Sequence, residues 1–302
     1  MSDLLLFEQE AKPGVPMNDV EEVSNYVSAM NYGLTRVRDE GFPISVRLLK
    51  KMHARLLSSG RGSEKEPGEI RRSQNWIGGT RPGNAEFVPP PPVELAECLS
   101  RWEAYLHESD EPYPSLIRTA LLHAQFETIH PFLDGNGRLG RLMITLFLYA
   151  EEILEEPTLY LSLYFKRNRT EYFRHLQRNR THGEWEEWIR FFLQGIVEVS
   201  SQAFTTAKEI LTLFETDRER LRSLGQAAGS ALRLHDVLQK KPLVSIPDAA
   251  EASELRQTTV GRAFERMERL GLLEETTGKK RNRIFAYSEY LELLSEATGP
   301  LQ

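Results

Sequence analysis

Apolar positions recur at Val20, Val23, Val27, Met30 and Leu34, the spacing of one helical face, after Asn18 or Asp19 as N-cap. A second helix is predicted over 44–59, ISVRLLKKMHARLLSS, and stops at Gly60. The periodicity then breaks, because 61–92 is rich in Gly and Pro. Within it, QNWIGG, TRPGN and AEFVP predict a short hairpin turning at Pro82-Gly83, and Pro89–Pro92 end the return strand. Helical spacing resumes over 93–108, 115–128, 136–152, 170–181 and 184–200, and a long charged connector helix follows over 200–224. Leu139 to Leu154 is apolar on nearly all sides, so it is the expected central buried helix.

The character changes at Ala231. The segment RLHDVLQKKPLVSIPDAAEASELRQTTVGRAFERMERLGLLEE reads as helix, short helix, turn, helix, and TTGKKRNRIFAY adds a turn and a strand. Helix-turn-helix followed by a basic hairpin predicts a winged helix. The expected fold class is mainly α: a helical core with a short β-hairpin flap, then a small winged-helix domain. The expected division is an N-terminal helical region over 1–60, a core over 61–200 with its flap at 73–90, a connector over 201–230, and a winged helix-turn-helix domain over 231–302.

Composition narrows the class. The chain has 302 residues, 40% hydrophobic and 27% charged, as a globular protein of about two domains does. Its net charge of −6 makes any basic site local. Cys98 is the only cysteine, which excludes an internal disulfide and a cysteine-based zinc site and fits a reducing compartment. It stands at apolar helical spacing, as a packed thiol would. The N-terminus lacks the pattern of a signal peptide, and LMITLFLYA is too short to span a bilayer, so a cytoplasmic protein without a membrane segment is expected.

The densest chemistry lies in HPFLDGNGRLGR, His130 to Arg141, between SLIRTALLHAQFETI and LMITLFLYA. Gly135 and Gly137 let a backbone turn its N–H groups inward at a helix N-terminus, a ready site for phosphate. Arg138 and Arg141 share a helical face and can grip further phosphate oxygens. Asp134 beside an anion site implies a cation between the two, for which Mg²⁺ is the natural choice. His130 has the pKa to take a proton from a hydroxyl nucleophile, and Phe132 reads as an apolar peg. The set suits attack of a hydroxyl on a nucleotide phosphate.

This segment closely resembles the signature of the Fic family, HPFx[D/E]GNGRxxR, at every fixed position. RRSQNWIGG, FVPPPP, AQFETIHPF, LYLSLYFKRNRTEYF, the N-terminal LLLFE and the C-terminal winged helix also resemble that family. The resemblance implies a helical fold that transfers AMP from ATP, with Mg²⁺ or Mn²⁺, to a Tyr, Thr or Ser hydroxyl of a target protein. It implies His130 as base, Asp134 as metal ligand, Gly135, Asn136 and Gly137 around the phosphates, and Arg138 and Arg141 on the β and γ groups. Asn75, Trp76, Ile77 and Gly78 would form a flap that takes up an extended target segment by strand addition. Tyr172 and Arg180 match positions near the adenine.

Many relatives carry an inhibitory helix, (S/T)-x-x-x-E-(G/N), just before the segment matching LLLFE. This sequence opens at Met1-Ser2-Asp3, so a chain without that brake is expected, with Arg141 left for the γ-phosphate. A homodimer is a common arrangement in the family. Two other readings stand beside AMP transfer: a nucleotide-sensing transcription regulator, and the same transfer from another donor such as UTP, GTP or CDP-choline. The second domain carries Arg256, Arg262, Arg266, Arg269 and a basic Lys279–Arg283 wing, but also Glu265, Glu268, Glu274 and Glu275. DNA binding is therefore the less favoured role for it, behind protein docking or a structural part.

Overall fold

The computed structural model describes residues 17–108, 112–156, 159–278 and 283–298. LLLFE, the Pro/Gly loop after it and the wing residues Lys279, Lys280 and Arg281 lie outside the described residues. Two compact units divide after Ser200.

In the first unit, α1 (Met17–Leu34) runs into a π-helical turn, Thr35–Asp39. α2 (Val46–Leu56) starts at Ser45, whose side chain accepts the Leu48 N–H, so the helix is capped where a Pro43-Ile44 approach ends. α3 (Leu95–Leu106) follows the proline run, after a short turn at Pro92–Glu94. α4 (Ser115–Ile129) and α5 (Asn136–Ala150) pack against each other at the centre. α5 buries residues all round, from Leu139 through Leu148, as its all-apolar sequence requires. It ends at Ala150, short of the expected end, where Glu151 and Glu152 reach solvent. α6 (Leu161–Arg167) and α7 (Arg169–His182) complete the cage around α4 and α5 together with the start of α8 (Trp185–Arg222).

Two apolar clusters flank the α4–α5 pair. One gathers α1, α2 and α3 around Met52, Trp102, Phe126 and Phe132, with Cys98 half-buried against it. The other gathers α6, α7 and α8 around Phe165, Tyr172, Trp188 and Phe192. Each buried tryptophan places its indole N–H on an α4 carbonyl, Trp102 on Leu122 at 3.0 Å and Trp188 on Ala120 at 2.9 Å. These bonds set the azimuth of α4, and with it the direction of the residues at its C-terminus.

The flap is thinner than its sequence suggests. A single antiparallel bridge, Ile77 to Phe87, stands in place of two strands, and Pro82–Asn84 form a helical turn at the tip. The Asn84 side chain accepts the N–H groups of Thr80 and Arg81, which closes the tip without ladder pairs.

α8 is one continuous helix, not a core helix followed by a separate connector. No proline interrupts EVSSQAFTTAKEIL, and Gly195 is tolerated because the Tyr164 ring lies where its Cβ would be, 2.5 Å away. The stretch expected as a connector contributes Leu213 and Leu221 to the core of the second unit. That unit adds α9 (Ala228–Lys240), β1 (Leu243–Ser245), α10 (Ile246–Ser253), α11 (Gln257–Arg269), β2 (Glu274–Glu275), β3 (Ile284–Ala286) and α12 (Ser288–Thr298). Its sheet is antiparallel, in the order β1-β3-β2, with Val244 opposite Phe285 and Glu275 opposite the same residue on the other side.

Candidate active site

α4 ends at Ile129 and His130 caps it in the left-handed region, φ 47° and ψ 61°, with its N–H on the Phe126 carbonyl at 2.9 Å. A non-glycine residue there is costly by about 1–3 kcal/mol and persists only where its surroundings fix it. They do. Arg71, 2% exposed, donates Nε to the His130 carbonyl at 2.9 Å, and its other nitrogens to Ser73, Pro90 and Ile129 carbonyls. Asn75 Nδ2 donates to the Phe132 carbonyl at 3.0 Å and reaches the His130 carbonyl at 3.5 Å. One guanidinium and one amide thus tie both legs of the flap to the chain around His130.

The loop that follows is closed from within. Asn136 Oδ1 accepts the Phe132 N–H at 2.9 Å, and its Nδ2 donates to the Phe132 carbonyl at 2.8 Å. Phe132 is buried and stacks on His53, centroids 3.9 Å apart and planes 14° from parallel. His53 accepts the Gly68 N–H at Nδ1, 2.7 Å, so Nε2 carries the proton and donates to the Asp134 carbonyl at 2.9 Å. Gly135, at φ 76°, has no room for a side chain: a Cβ would sit 3.0 Å from His53 Nε2 and 3.2 Å from Leu57 Cδ1. The N-terminus of α5, with its unpaired N–H groups, opens directly after this turn.

The structure brings most of the expected residues together. His130, Asp134, Gly135, Gly137, Arg138 and Arg141 lie at the α4–α5 junction. Arg138 faces Glu22 of α1 at 3.5 Å and Asp134 at 3.8 Å, and donates to the Arg61 carbonyl at 3.2 Å. Arg141 is half-buried and forms no ion pair among the described residues. Asn75 is tied to the loop, Ile77 makes the flap bridge, Gly78 takes φ 69°, and Trp76 is 40% exposed on the flap. Arg180 joins the site from α7. It donates to Thr128 Oγ1 at 3.2 Å and the Glu127 carbonyl at 3.0 Å, and covers the Phe87 ring of the flap at 4.1 Å.

Two of the expected residues are buried. The Asn136 side chain bonds Phe132 through Oδ1 and one of its two Nδ2 protons, and so shapes the turn. Tyr172 is buried in the aromatic cluster, its hydroxyl 2.9 Å from His123 Nε2, and offers no face to a base. Burial raises its phenol well above the ordinary value. Three residues that the sequence did not single out belong to the site: Arg71, His53 and Glu127. For Glu127 a signal existed, because it is an acid inside the buried stripe of α4, three residues before His130.

The electrostatics favour a neutral imidazole. Burial pushes the His130 pKa down to about 4, helped by the Arg180 and Arg71 guanidinium groups. Its side chain is 19% exposed, so part of the ring reaches solvent. The arrangement therefore offers a neutral ring beside a helix N-terminus and cationic side chains. A proton acceptor next to an anion site is a fit for hydroxyl attack on a phosphate.

Residues 43–148, which include this whole turn, match the Fic/DOC family model. The chain contains a Fic/DOC domain. The protein adenylyltransferase Fic of Culex quinquefasciatus is 30% identical over 187 residues, 60% of this chain and 33% of that protein. The protein of the same name from Drosophila ananassae is 29% identical over 182 residues, 60% of this chain and 33% of its own length. The chain thus spans about a third of the length of these curated relatives. In fold, the chain is similar to a Fic family protein from Desulfovibrio desulfuricans G20, with a TM-score of 0.57, 18% identity, and coverage of 95% of this chain and 80% of that one. Fic-1 (residues 134–508) of C. elegans aligns with a TM-score of 0.52 and 22% identity over 68% of this chain and 57% of that chain. No described helix is long and apolar enough to cross a membrane.

Proposed function

We propose that the Fic/DOC domain transfers AMP from ATP to a hydroxyl of a target protein. The observation that carries this reading is His130, a neutral ring fixed directly before a glycine turn that opens on a helix N-terminus. The relatives named protein adenylyltransferase support the same chemistry. In the reaction, the hydroxyl proton passes to His130 Nε2 as the oxygen bonds to the α-phosphorus. The bond from that phosphorus to the β-phosphate bridge breaks, and pyrophosphate leaves. The Gly135 N–H, which donates to Asp134 Oδ1 at 2.5 Å, would turn with the Gly137 N–H to donate to phosphate oxygens, and Arg138 and Arg141 would hold the outer phosphates. Arg138 would exchange Glu22 for a phosphate.

Asp134 would hold Mg²⁺ or Mn²⁺. Its carboxylate is 33% exposed at the mouth of the turn, and a single such ligand suits an ion that takes its other oxygens from phosphates and water. When bound, the ion supplies positive charge against the phosphate oxygens. The flap would take up the target segment beside Ile77.

We also infer that the second unit is a winged helix. The support is its order α9, β1, α10, α11, then the β2–β3 pair, with β1 completing the sheet on β3. Arg262, Glu265, Arg266 and Arg269 all reach solvent on α11, so opposite charges alternate on the helix that would enter a groove. Protein docking suits that mixture better than DNA, and a mobility shift on random duplex at low salt would reverse the order.

The test of the transfer is incubation with radiolabelled ATP, Mg²⁺ and cell lysate, wild type beside His130→Ala. Label on protein that depends on His130 is the expected result. Equal labelling by both proteins, or none by either, overturns the reading.

A further inference from the structure

Glu127 is a buried acid that the mechanism above leaves without work. Its side chain is 7% exposed, on the last turn of the helix that His130 caps and three residues before it. Oε1 has no hydrogen-bond partner, and neither does His130 Nδ1, although both atoms are buried. Oε2 lies 3.9 Å from that Nδ1. Two orphaned polar atoms on neighbouring buried groups are costly, about 1–3 kcal/mol each, unless they meet in some working state.

The surroundings are cut to fit this carboxyl. A Cβ on Gly140 would stand 2.6 Å from Oε1, so the glycine in the second turn of α5 clears its place. Burial raises the Glu127 pKa, and Arg141 and Arg180 act against that shift by favouring the charged form. The other acceptor near Nδ1 is the Glu127 main-chain carbonyl. It pulls the ring's pKa up, but it meets no hydrogen-bond geometry with Nδ1 and already accepts Arg180 Nη2 at 3.0 Å.

We propose that Glu127 is the positioning residue of His130: its carboxylate accepts the Nδ1–H, closing the 3.9 Å gap, and so presents an unprotonated Nε2 to the cleft. This rests on His130 being the base. A neutral imidazole carries one proton, and the tautomer is set by whichever nitrogen finds an acceptor. With no acceptor at Nδ1 the proton can sit on Nε2, where the ring cannot take up a hydroxyl proton. After transfer, the same carboxylate faces the imidazolium and stabilises it.

The experiment has one arm that needs no activity. ¹⁵N shifts of the His130 imidazole report its tautomer in the full chain, wild type beside Glu127→Gln and Glu127→Met. The Nδ1–H form is expected in wild type and in Glu127→Gln, which keeps an acceptor, and the Nε2–H form gains in Glu127→Met. In the second arm, kcat for labelled AMP transfer falls about 10²-fold in Glu127→Met and less in Glu127→Gln, with KM for ATP within about twofold. Added to His130→Ala, Glu127→Met costs nothing further. An unchanged tautomer in Glu127→Met, or losses that add across the double mutant, overturns the proposal. If Glu127→Met does not fold, Glu127→Gln decides alone: an Nε2–H ring there overturns it. Wild type that transfers no nucleotide sinks the base assignment, while the tautomer arm still reads the pairing.

Discussion

His53 donates its Nε2 proton to the carbonyl of Asp134 at 2.9 Å, because its Nδ1 is already taken by the Gly68 N–H. An imidazole on α2 thereby holds the backbone of the residue assigned to the metal. Burial keeps it neutral, as the bonding requires. His53→Ala leaves a buried carbonyl and a buried N–H unpaired and removes the ring under Phe132. A loss of about 3–5 kcal/mol in unfolding free energy is expected from urea titration. A loss under about 1 kcal/mol would mean that the loop does not depend on this side chain.

Gly135→Ala tests the turn itself. A positive φ costs an alanine about 1–2 kcal/mol, and the contact 3.0 Å from His53 Nε2 adds strain. Nucleotide affinity, followed with a fluorescent ATP analogue, is expected to fall at least tenfold. Gly83→Ala, where nothing lies within 4 Å, is expected to leave the melting temperature within a degree or two.

Arg71→Lys keeps the charge and loses the fork. Lysine has three donors for four carbonyls on three chain segments, so at least one is left without a donor. Destabilisation of about 2–3 kcal/mol is expected. Faster hydrogen exchange at the Ile77 and Phe87 amides would follow, since their mutual bonds sit on legs no longer tied down. Unchanged exchange at both amides would contradict this account.

The pH dependence has a definite sign. His130 and His123 titrate near their ordinary 6.5 in the unfolded chain, but burial lowers them to about 4 and about 3 in the folded one. Below 6.5 the unfolded chain binds the extra protons, so stability is fully present above that pH and is lost as pH falls through the interval toward 4 and 3. Urea unfolding at a series of pH values reads this slope. For transfer, kcat/KM reports the free enzyme, and its acid limb is expected near 4 and not near 6.5. A limb at 6.5 would mean a solvated ring.

Much of this was legible in the residues. The apolar run after Arg141 identified the central helix, and the glycines and charges before it identified the turn. The bonds of Asn136 to Phe132 and of Tyr172 to His123 were not legible, because a polar side chain in a signature can serve the backbone or another side chain as well as a ligand, and spacing alone does not tell which. Arg71 gave no signal, because an arginine that bonds only to carbonyls has no acid partner at a readable distance. α6 was missed because LSLYFKR is a short amphipathic piece that stops at Asn168, too brief for periodicity to separate it from a loop. The flap was over-read as two strands, since alternation marks an extended chain but not a ladder.

The reciprocal bonds between Asn136 and Phe132 hold the shape of the cradle from within the chain. A nucleotide arriving there need not organise the loop, so the entropy of ordering is charged to folding and not to binding. Affinity at this site can then be tuned by the outer arginines alone, without remodelling the chain that carries the chemistry.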